Sequence, residues 1–560
     1  MLAHLIRQSR HLLTGAALAS IVSGICSVLL LTQINAVLSA ADGADTSALA
    51  WRFGALAVAA MLARMASSVL FERLSQGAHA ELRRYISERV MAAEYRKLEE
   101  IGGPKVHAAL SEHSARVADF FVSFPAILVN AVIVLGCLVY MAWLSWQVFL
   151  AAVLVIGLGS LGYHLAHLKA IGHLGAASKE QDRLYDHFRS LVDGAKELRL
   201  HAPKRARFAR DVLGASIEKV RRARTFGMSL FSLSVAWGNF LIYAFIGLVL
   251  FVLVGEVPDR ARIMTGFALV FVYMVVPLEG LLLALPRANL AKVSGARIDE
   301  ITLQLGQQGE DAAADSAADS VAKTAPVRAS VVLKGVAHRY YHEGTDDLFT
   351  LGPVDLAFAP GQITYLVGGN GSGKTSLAKL LVGLYRPEQG AIVRDGVPVD
   401  DSNRDSYRQL FSAIFSDFHL FDQLLDGTSA QLDAQGNALI AKLNLQHKVQ
   451  LRNGAFTTRA LSQGQRKRLA LVVVYLEDRP FLVFDEWAAD QDPLFKEVFY
   501  RELLPELKAR GKTVLVISHD DRYFHLADRL IRMVDGQVVS VEAPAPAAVA
   551  VEESKVAAVS

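Results

Sequence analysis

Residues 363–376 read Ile-Thr-Tyr-Leu-Val-Gly-Gly-Asn-Gly-Ser-Gly-Lys-Thr-Ser. A stretch typical of a buried β-strand leads into a glycine-rich loop, and we expect a helix to begin near Ser376. This order of strand, loop and helix is that of the P-loop, which binds phosphate groups. Its glycines let backbone amides wrap around a β-phosphate, and the helix N-terminus favours the negative charge.

The end of this loop predicts that the ligand is ATP with Mg²⁺. Lys374 is expected to reach the β- and γ-phosphates, and the hydroxyl of Thr375 is expected to hold Mg²⁺. The predicted nucleotide-binding residues of the loop are Gly368, Gly369, Asn370, Gly371, Ser372, Gly373, Lys374, Thr375 and Ser376.

A second apolar strand, residues 480–484, ends in Asp485 and Glu486. The carboxyl end of a central parallel strand delivers side chains to the ligand, so Asp485 should support Mg²⁺ and Glu486 should orient or deprotonate the attacking water. Two acids at a strand end also occur as plain helix caps. However, a third strand, residues 513–518, brings His519 to the same edge of the sheet, which favours a catalytic site.

The segment Leu461-Ser-Gln-Gly-Gln465 resembles LSGGQ, the signature of the ABC ATPases. Other classes of P-loop protein lack this segment. Its chemistry needs a second subunit, because the segment would face the γ-phosphate of the ATP bound to that subunit. We therefore predict that Ser462, Gln463, Gly464 and Gln465 bind nucleotide. Tyr340, about thirty residues before the P-loop, fits the aromatic residue that stacks on adenine, although a tyrosine of the hydrophobic core is the alternative.

The first half of the chain predicts a membrane domain. A helix needs roughly 20 apolar residues to cross the hydrocarbon core, and six stretches are long enough. They are residues 12–38, 51–71, 120–143, 147–168, 228–254 and 263–286. The intervening segment 73–119 contains eight Lys or Arg and the segment 169–226 contains fourteen. The positive-inside rule places both segments, and both chain ends, in the cytoplasm.

Composition sets further limits. The 560 residues are 52% hydrophobic, and the net charge of +3 gives no indication of a nucleic-acid partner. Both cysteines, Cys26 and Cys137, lie in apolar runs and are expected to be buried free thiols. Residues 306–329 lack a hydrophobic period and are expected to be a flexible linker, and residues 541–560 are expected to be a disordered tail. Two cytoplasmic turns, near 94–106 and 200–210, should touch an ATPase domain.

Taken together, the chain resembles an ABC exporter half-transporter of the cyclic-peptide and siderophore exporter family, which includes syringomycin, pyoverdine and microcin exporters. The segments specific to this family are residues 411–422, 485–493 and 518–521, where ABC proteins in general have a different amino-acid sequence. The resemblance implies a multi-domain fold. An all-α, six-helix transmembrane domain of the type I exporter kind (1–305) would precede an α/β P-loop ABC domain (330–540).

The resemblance also implies a homodimer in the bacterial inner membrane, with a cytoplasmic ATPase and a peptide or siderophore cargo. Three positions depart from the general ABC pattern. Ser416 replaces the usual glutamine that senses Mg²⁺, so metal contact would pass through water or through Asp417. Gln463 replaces the first signature glycine, and Asp492 stands at the place of the usual cross-dimer aspartate.

Two other functions remain open at this point. A fused importer of a ferric siderophore would have the same motifs, although importers usually use separate chains. A non-transporting regulator would use ATP binding to control a partner, but the intact Glu486 and His519 favour turnover.

Overall fold

The computed structural model describes residues 10–39, 47–249, 251, 260–306, 329–341, 348–425 and 427–543, apart from some side chains within them. The chain divides into two compact units, one of Met1–Met91 with Ile101–Gly306 and one of Ala92–Glu100 with Gln307–Ser560. The second unit thus includes a short segment from the first half of the sequence. The predicted transmembrane domain, 1–305, had placed this segment with the membrane helices. Residues 307–328 of the predicted linker and 544–560 of the predicted tail lie outside the described residues.

The first unit consists of helices in the part of the chain that the structure describes. They are α1 (Arg10–Leu38), α2 (Ser47–Ala92, whose last residue joins the second unit), α4 (Gly103–Ala108), α5 (Ser114–Leu144), α6 (Trp146–Asp193), α7 (Ala195–Leu200), α8 (Ala202–Arg207), α9 (Ala215–Leu248) and α10 (Arg260–Leu305). Short π-helical turns, Ala109–His113 and Phe208–Gly214, join α4 to α5 and α8 to α9.

Apolar helices account for the predicted membrane spans. Five described helical runs are long and apolar enough to cross a bilayer: Arg10–Leu38, Ala48–Ala92, Gly103–Leu144, Ala202–Leu248 and Arg262–Leu281. They contain or overlap five of the six predicted spans. The remaining one, 147–168, lies in α6, where the described apolar helix runs over Trp146–Gly159.

Helices α1 and α5 approach each other closely at two glycines. A Cβ on Gly24 would come within 2.7 Å of Val132, and a Cβ on Gly136 would come within 2.7 Å of Val28. Small residues at such crossings let helix backbones approach, which favours association where no hydrophobic driving force exists between them. Cys137 is buried beside this crossing, and both cysteines are free thiols, as the sequence predicts.

The second unit is built on two sheets. The larger has the order β12-β11-β3-β10-β9-β6, in which only β12 is antiparallel to its neighbour. Its strands are β3 (Ile363–Gly368), β6 (Phe411–Ile414), β9 (Phe481–Asp485), β10 (Thr513–Ile517), β11 (Arg529–Val534) and β12 (Gln537–Glu542). An antiparallel sheet, β2-β1-β4-β5, contains β1 (Val331–Tyr341), β2 (Leu348–Phe358), β4 (Gln389–Arg394) and β5 (Val397–Pro398). Leu451–Arg452 (β7) and Ala455–Phe456 (β8) form a short ribbon.

The second unit also contains helices. The described ones are α3 (Tyr95–Ile101), α11 (Lys374–Leu381), α12 (Arg404–Arg408), α13 (Ala430–Lys442), α14 (Gln463–Glu477), α15 (Pro493–Val498) and α16 (Leu504–Ala509). All five side chains of β9 and of β10 are buried, as expected for central parallel strands covered on both faces. Strand register places Ile517 beside both Leu366 and Asp485, so the P-loop, the two acids and His519 follow neighbouring strand ends.

Candidate active site

The side chain of Lys374 is hydrogen-bonded to the backbone of its own P-loop. The ammonium group of Lys374 donates hydrogen bonds to the carbonyls of Gly368 (3.1 Å) and Gly369 (2.7 Å). Burial lowers the pKa of Lys374, and the nearby carboxylates Glu486 and Asp485 partly offset this effect. Helix α11 begins at Lys374, two residues earlier than predicted, because Gly373 takes the left-handed conformation (φ +93°) that precedes it.

Oxygen atoms suited to a metal meet beside this loop. The hydroxyl of Thr375 donates to Oδ2 of Asp485 at 2.9 Å, and Asp485 is only 1% exposed. Burial raises the pKa of Asp485 against the effect of the Thr375 hydrogen bond, and repulsion from Glu486 and Asp417 adds to the increase. Among the described residues, Oδ1 of Asp485 has no hydrogen-bond partner. A buried, unsatisfied carboxylate oxygen next to a hydroxyl fits Mg²⁺, which prefers oxygen ligands.

Glu486 projects from the end of β9 in an unusual backbone conformation. Its φ is +50°, a region that non-glycine residues occupy only when their surroundings hold them there. Its amide donates to the carbonyl of Ile517 at 3.1 Å. Its carboxylate lies 3.2 Å from Nε2 of His519, and the two side chains are 39% and 44% exposed. Glutamate and histidine are thus paired where water can reach them.

The signature segment forms the start of helix α14, which begins within the motif, at Gln463. The reason is a capping box, in which the Ser462 hydroxyl accepts from the amide of Gln465 and the Gln465 side chain accepts from the amide of Ser462. Ser462 and Gln463 are exposed. The side chain of Gln463 donates to Oδ2 of Asp490 at 3.1 Å.

Comparison with known proteins agrees with this geometry. Residues 351–489 match the family described as "ABC transporter", and residues 12–162 match "ABC transporter transmembrane region". The ATP-binding protein SyrD of Pseudomonas syringae pv. syringae is 34% identical over 527 residues, which are 93% of each chain. The chain belongs to the ABC transporters. It is a multi-pass membrane protein of the exporter type, and it couples ATP hydrolysis to transport.

Two further similarities concern other members of this family. The ATP-dependent lipid A-core flippase of Thiobacillus denitrificans is 26% identical over 490 residues, 83% of this chain and 80% of that protein. A bacterial Atm1-family ABC exporter with ATP bound has a TM-score of 0.71 at 17% identity and covers 95% of both chains. The second similarity confirms the predicted fold, in which a type I exporter transmembrane domain precedes an α/β ATPase domain.

Two of the predicted site residues of this ABC transporter are placed only in part. Ser416 is exposed two residues beyond Ile414, which lies opposite Phe484 in the sheet, so it follows a strand end next to that of Asp485. Its neighbour Asp417 acts on Asp485 electrostatically. The backbone of Tyr340 pairs with Phe349, but its side chain lies outside what the structure describes, so the adenine-stacking role stays a prediction.

A docked segment, Ala92–Glu100, packs on the ATPase residues within the second unit. Glu99 accepts from the ammonium of Lys379 at 2.6 Å, Arg96 pairs with Glu388 at 3.2 Å, and Glu94 pairs with Arg386. The ring of Tyr95 lies 6.2 Å from that of Tyr385. The sequence predicts a turn here that touches an ATPase domain, and residues 94–100 do so. The partners on the ATPase side carry no sequence motif that could have identified them.

We predict that Gly464→Ala reduces ATP turnover. A Cβ at this position would come within 2.9 Å of the backbone carbonyl of Asp490. Because a backbone group cannot rotate away, the signature helix and the segment after Glu486 must separate, at a cost of about 1–3 kcal/mol. We expect kcat to fall about tenfold. Gly77→Ala, where a Cβ would meet nothing within 4 Å, is the control, and equal activity of the two variants would contradict the prediction.

We also predict that His338 makes the ATPase unit sensitive to acid. His338 is 2% exposed and stacks on Tyr385 with a centroid distance of 5.1 Å. Burial lowers its pKa and the Arg96 charge lowers it further, whereas Glu388 opposes the change. The folded pKa therefore lies below the unfolded value of about 6.5, so stability is present above that value and is lost as pH falls through the folded pKa.

The measurement is the melting temperature between pH 7.5 and pH 5. Each kcal/mol lost should appear as about 2–4 °C in a unit of this size. His338→Phe keeps an aromatic ring against Tyr385 and should flatten the decrease, whereas His447→Phe, at an exposed histidine, should not. Parallel pH profiles for wild type and His338→Phe would show that this prediction is wrong.

Proposed function

We propose that this ABC transporter exports a peptide of the siderophore or lipopeptide type across the bacterial inner membrane, from cytoplasm to periplasm. The observation that carries the proposal is the similarity to the ATP-binding protein SyrD over 93% of the chain, together with the resemblance to the cyclic-peptide and siderophore exporters. That similarity includes the domain order and spans both the membrane helices and the ATPase motifs. The basic segments 73–119 and 169–226 support a cytoplasmic ATPase.

In the proposed site, the P-loop amides and Lys374 bind the phosphates of ATP. Thr375 and Asp485 hold Mg²⁺, with Ser416 or Asp417 beside them, and the ion supplies charge neutralisation at the phosphates when bound. Glu486 orients or deprotonates the attacking water, and its exposure leaves room for that water. His519, paired with Glu486, contacts the γ-phosphate.

The active form is proposed to be a homodimer. One chain carries a complete set of motifs, and the exposed Ser462 and Gln463 of each chain would complete the nucleotide site of the other. Closure of the ATPase domains would be passed to the helices through the cytoplasmic turns. The docked segment Ala92–Glu100 supports this route for the first turn. In the second turn, Ala202–Arg207 buries no residue, which leaves it available for a partner chain.

The test is transport by the purified protein in proteoliposomes. Vesicles with outward-facing ATPase domains should accumulate a labelled cyclic lipopeptide or peptide siderophore when ATP and Mg²⁺ are added. The Glu486→Gln protein is the control. We expect uptake only with the unaltered protein, together with ATPase stimulation by the peptide. Turnover without peptide movement would overturn the proposed cargo and favour the regulator.

A second candidate is lipid flipping, because the lipid A-core flippase of Thiobacillus denitrificans matches most of the chain. The same vesicles, loaded with labelled lipid A, distinguish the two cargoes. Lipid translocation with no peptide uptake would replace the proposed function. Peptide moving in the opposite direction, out of these vesicles, would favour the importer.

A further inference from the structure

Three polar residues, one of them Gln463 of the signature, meet beside the backbone of Glu486. Lys467, on helix α14, has a side chain only 3% exposed. Its ammonium group donates to the backbone carbonyl of Glu486 at 2.9 Å and lies 2.7 Å from Oδ2 of Asp490. The side chain of Gln463 donates to the same oxygen of Asp490 at 3.1 Å. A signature residue and the residue after β9 are therefore joined by one buried lysine.

This lysine is held at both ends. The indole of Trp487, itself buried, donates to the backbone carbonyl of Lys467 at 2.8 Å. Burying an ammonium group is costly unless it is paired and hydrogen-bonded. A methylene chain of similar length would fill the same space without that cost. The charge of Lys467 lies directly on the peptide group that follows Glu486. This position indicates that Lys467 fixes the backbone that carries the catalytic carboxylate.

The geometry that needs support is that of Glu486. Its φ of +50° turns its carbonyl out of the strand direction, where it accepts from Lys467 and from the amide of Ala489. Such a backbone conformation persists in a non-glycine residue only where the surrounding structure holds it. Lys467 therefore holds the backbone from which the carboxylate projects toward His519.

We infer that Lys467 is a positioning residue for ATP hydrolysis, and that Asp490 and Gln463 tie it to the signature. This inference rests on the proposed function, in which Glu486 acts on the attacking water. The carboxylate serves the nucleotide site of its own chain, whereas the signature serves the site of the partner chain. Lys467 thus joins the two sites through one subunit: contact of the signature with the partner's nucleotide sets the position of Glu486. It also gives Gln463, which departs from the usual glycine, a structural role.

The chain contains a matched control at the other end of α14. The ammonium of Lys512 donates to the backbone carbonyl of Asp478 at 2.7 Å and lies 2.8 Å from its Oδ1. Asp478 also has a φ of +50°. Like Lys467, Lys512 therefore contacts one carboxylate and one backbone carbonyl of a residue with a positive φ. Both of its contacts are to Asp478, beside the C-terminus of the helix and away from the catalytic carboxylate.

The experiment compares Lys467→Met with Lys512→Met in the full-length reconstituted protein. Misplacing a catalytic group by about 1 Å can cost about 10²-fold in rate. We expect Lys467→Met to lower kcat about 10- to 100-fold, while KM and the binding of a fluorescent ATP analogue stay within about twofold. Lys512→Met should lose stability without this loss of kcat. Equal kcat values in the two variants would overturn the inference.

Asp490→Asn provides a second variant in case Lys467→Met does not fold. It keeps an oxygen for both donors and removes the charge, so kcat should fall less than in Lys467→Met, again with KM unchanged. Wild-type kcat in Asp490→Asn would count against the network. Glu486→Gln is measured in parallel. If it retains more than about a tenth of the wild-type kcat, the assignment of Glu486 fails. If it is inactive while Lys467→Met is fully active, only the positioning role fails.

Discussion

Replacing Glu486 with glutamine should lower kcat for ATP hydrolysis by about 10²- to 10⁴-fold, the usual contribution of a positioned general base. Glutamine has nearly the same shape, and the contacts that hold this position are made by its backbone, so the conformation should be kept. ATP affinity should therefore change by less than about twofold. Loss of turnover with retained binding separates the removal of a proton acceptor from damage to the site.

The measurement is phosphate release by the reconstituted protein, with binding of a fluorescent ATP analogue alongside. Glu502→Gln, at an exposed carboxylate of the same unit, is the control and should hydrolyse ATP at the wild-type rate. A Glu486→Gln protein that retains more than about a tenth of the activity would refute the assigned role, since general bases contribute far more than that.

Replacing Lys374 with alanine should weaken ATP binding about 100-fold. Its ammonium group donates to the carbonyls of Gly368 and Gly369, and phosphate oxygens would take the place of these carbonyls. Hydrogen bonds to a charged group are worth about 1.5–3 kcal/mol each, and about 1.4 kcal/mol corresponds to tenfold in affinity.

Stability should change little in this variant. Burial already lowers the pKa of Lys374, which means that folding penalises the charged amine, and its removal relieves this penalty as it breaks the two bonds. Titration with the fluorescent analogue and thermal unfolding measure the two effects. Lys334→Ala, at an exposed lysine of β1, controls for loss of charge. Unchanged ATP affinity in Lys374→Ala would exclude it from the phosphate site.

The meeting of the P-loop, Asp485 and His519 at one edge of the sheet could be predicted from the sequence because each part is local, while their roles toward nucleotide stay predictions. Each part is recognisable from a pattern of about ten residues. These parts are the P-loop, the strand that ends at Asp485 and the strand before His519. Parallel pairing brings their ends together without further information, as the register of Ile517 with Asp485 shows. Cysteine burial followed from hydrophobic pattern in the same way.

What the sequence could not predict depends on contacts between distant residues. The pairing of Lys467 with Asp490 depends on the turn that follows Glu486. Glu486 has a positive φ in this turn, which the conformational propensity of glutamate does not predict. The capping role of Ser462 moved the start of α14 into the signature, where the resemblance had placed nucleotide contacts alone. His338 looked like any strand residue, and its burial against Tyr385 became visible only with the fold.

The docked segment also has a consequence for biosynthesis. Glu99 and its partner Lys379 are 280 residues apart, so the segment leaves the ribosome long before the surface it binds has been made. The ATPase unit is therefore finished only after a piece of chain from the membrane half returns to it. An ATPase fragment produced from residue 307 onward lacks that piece and leaves Tyr385 and Lys379 without their natural cover.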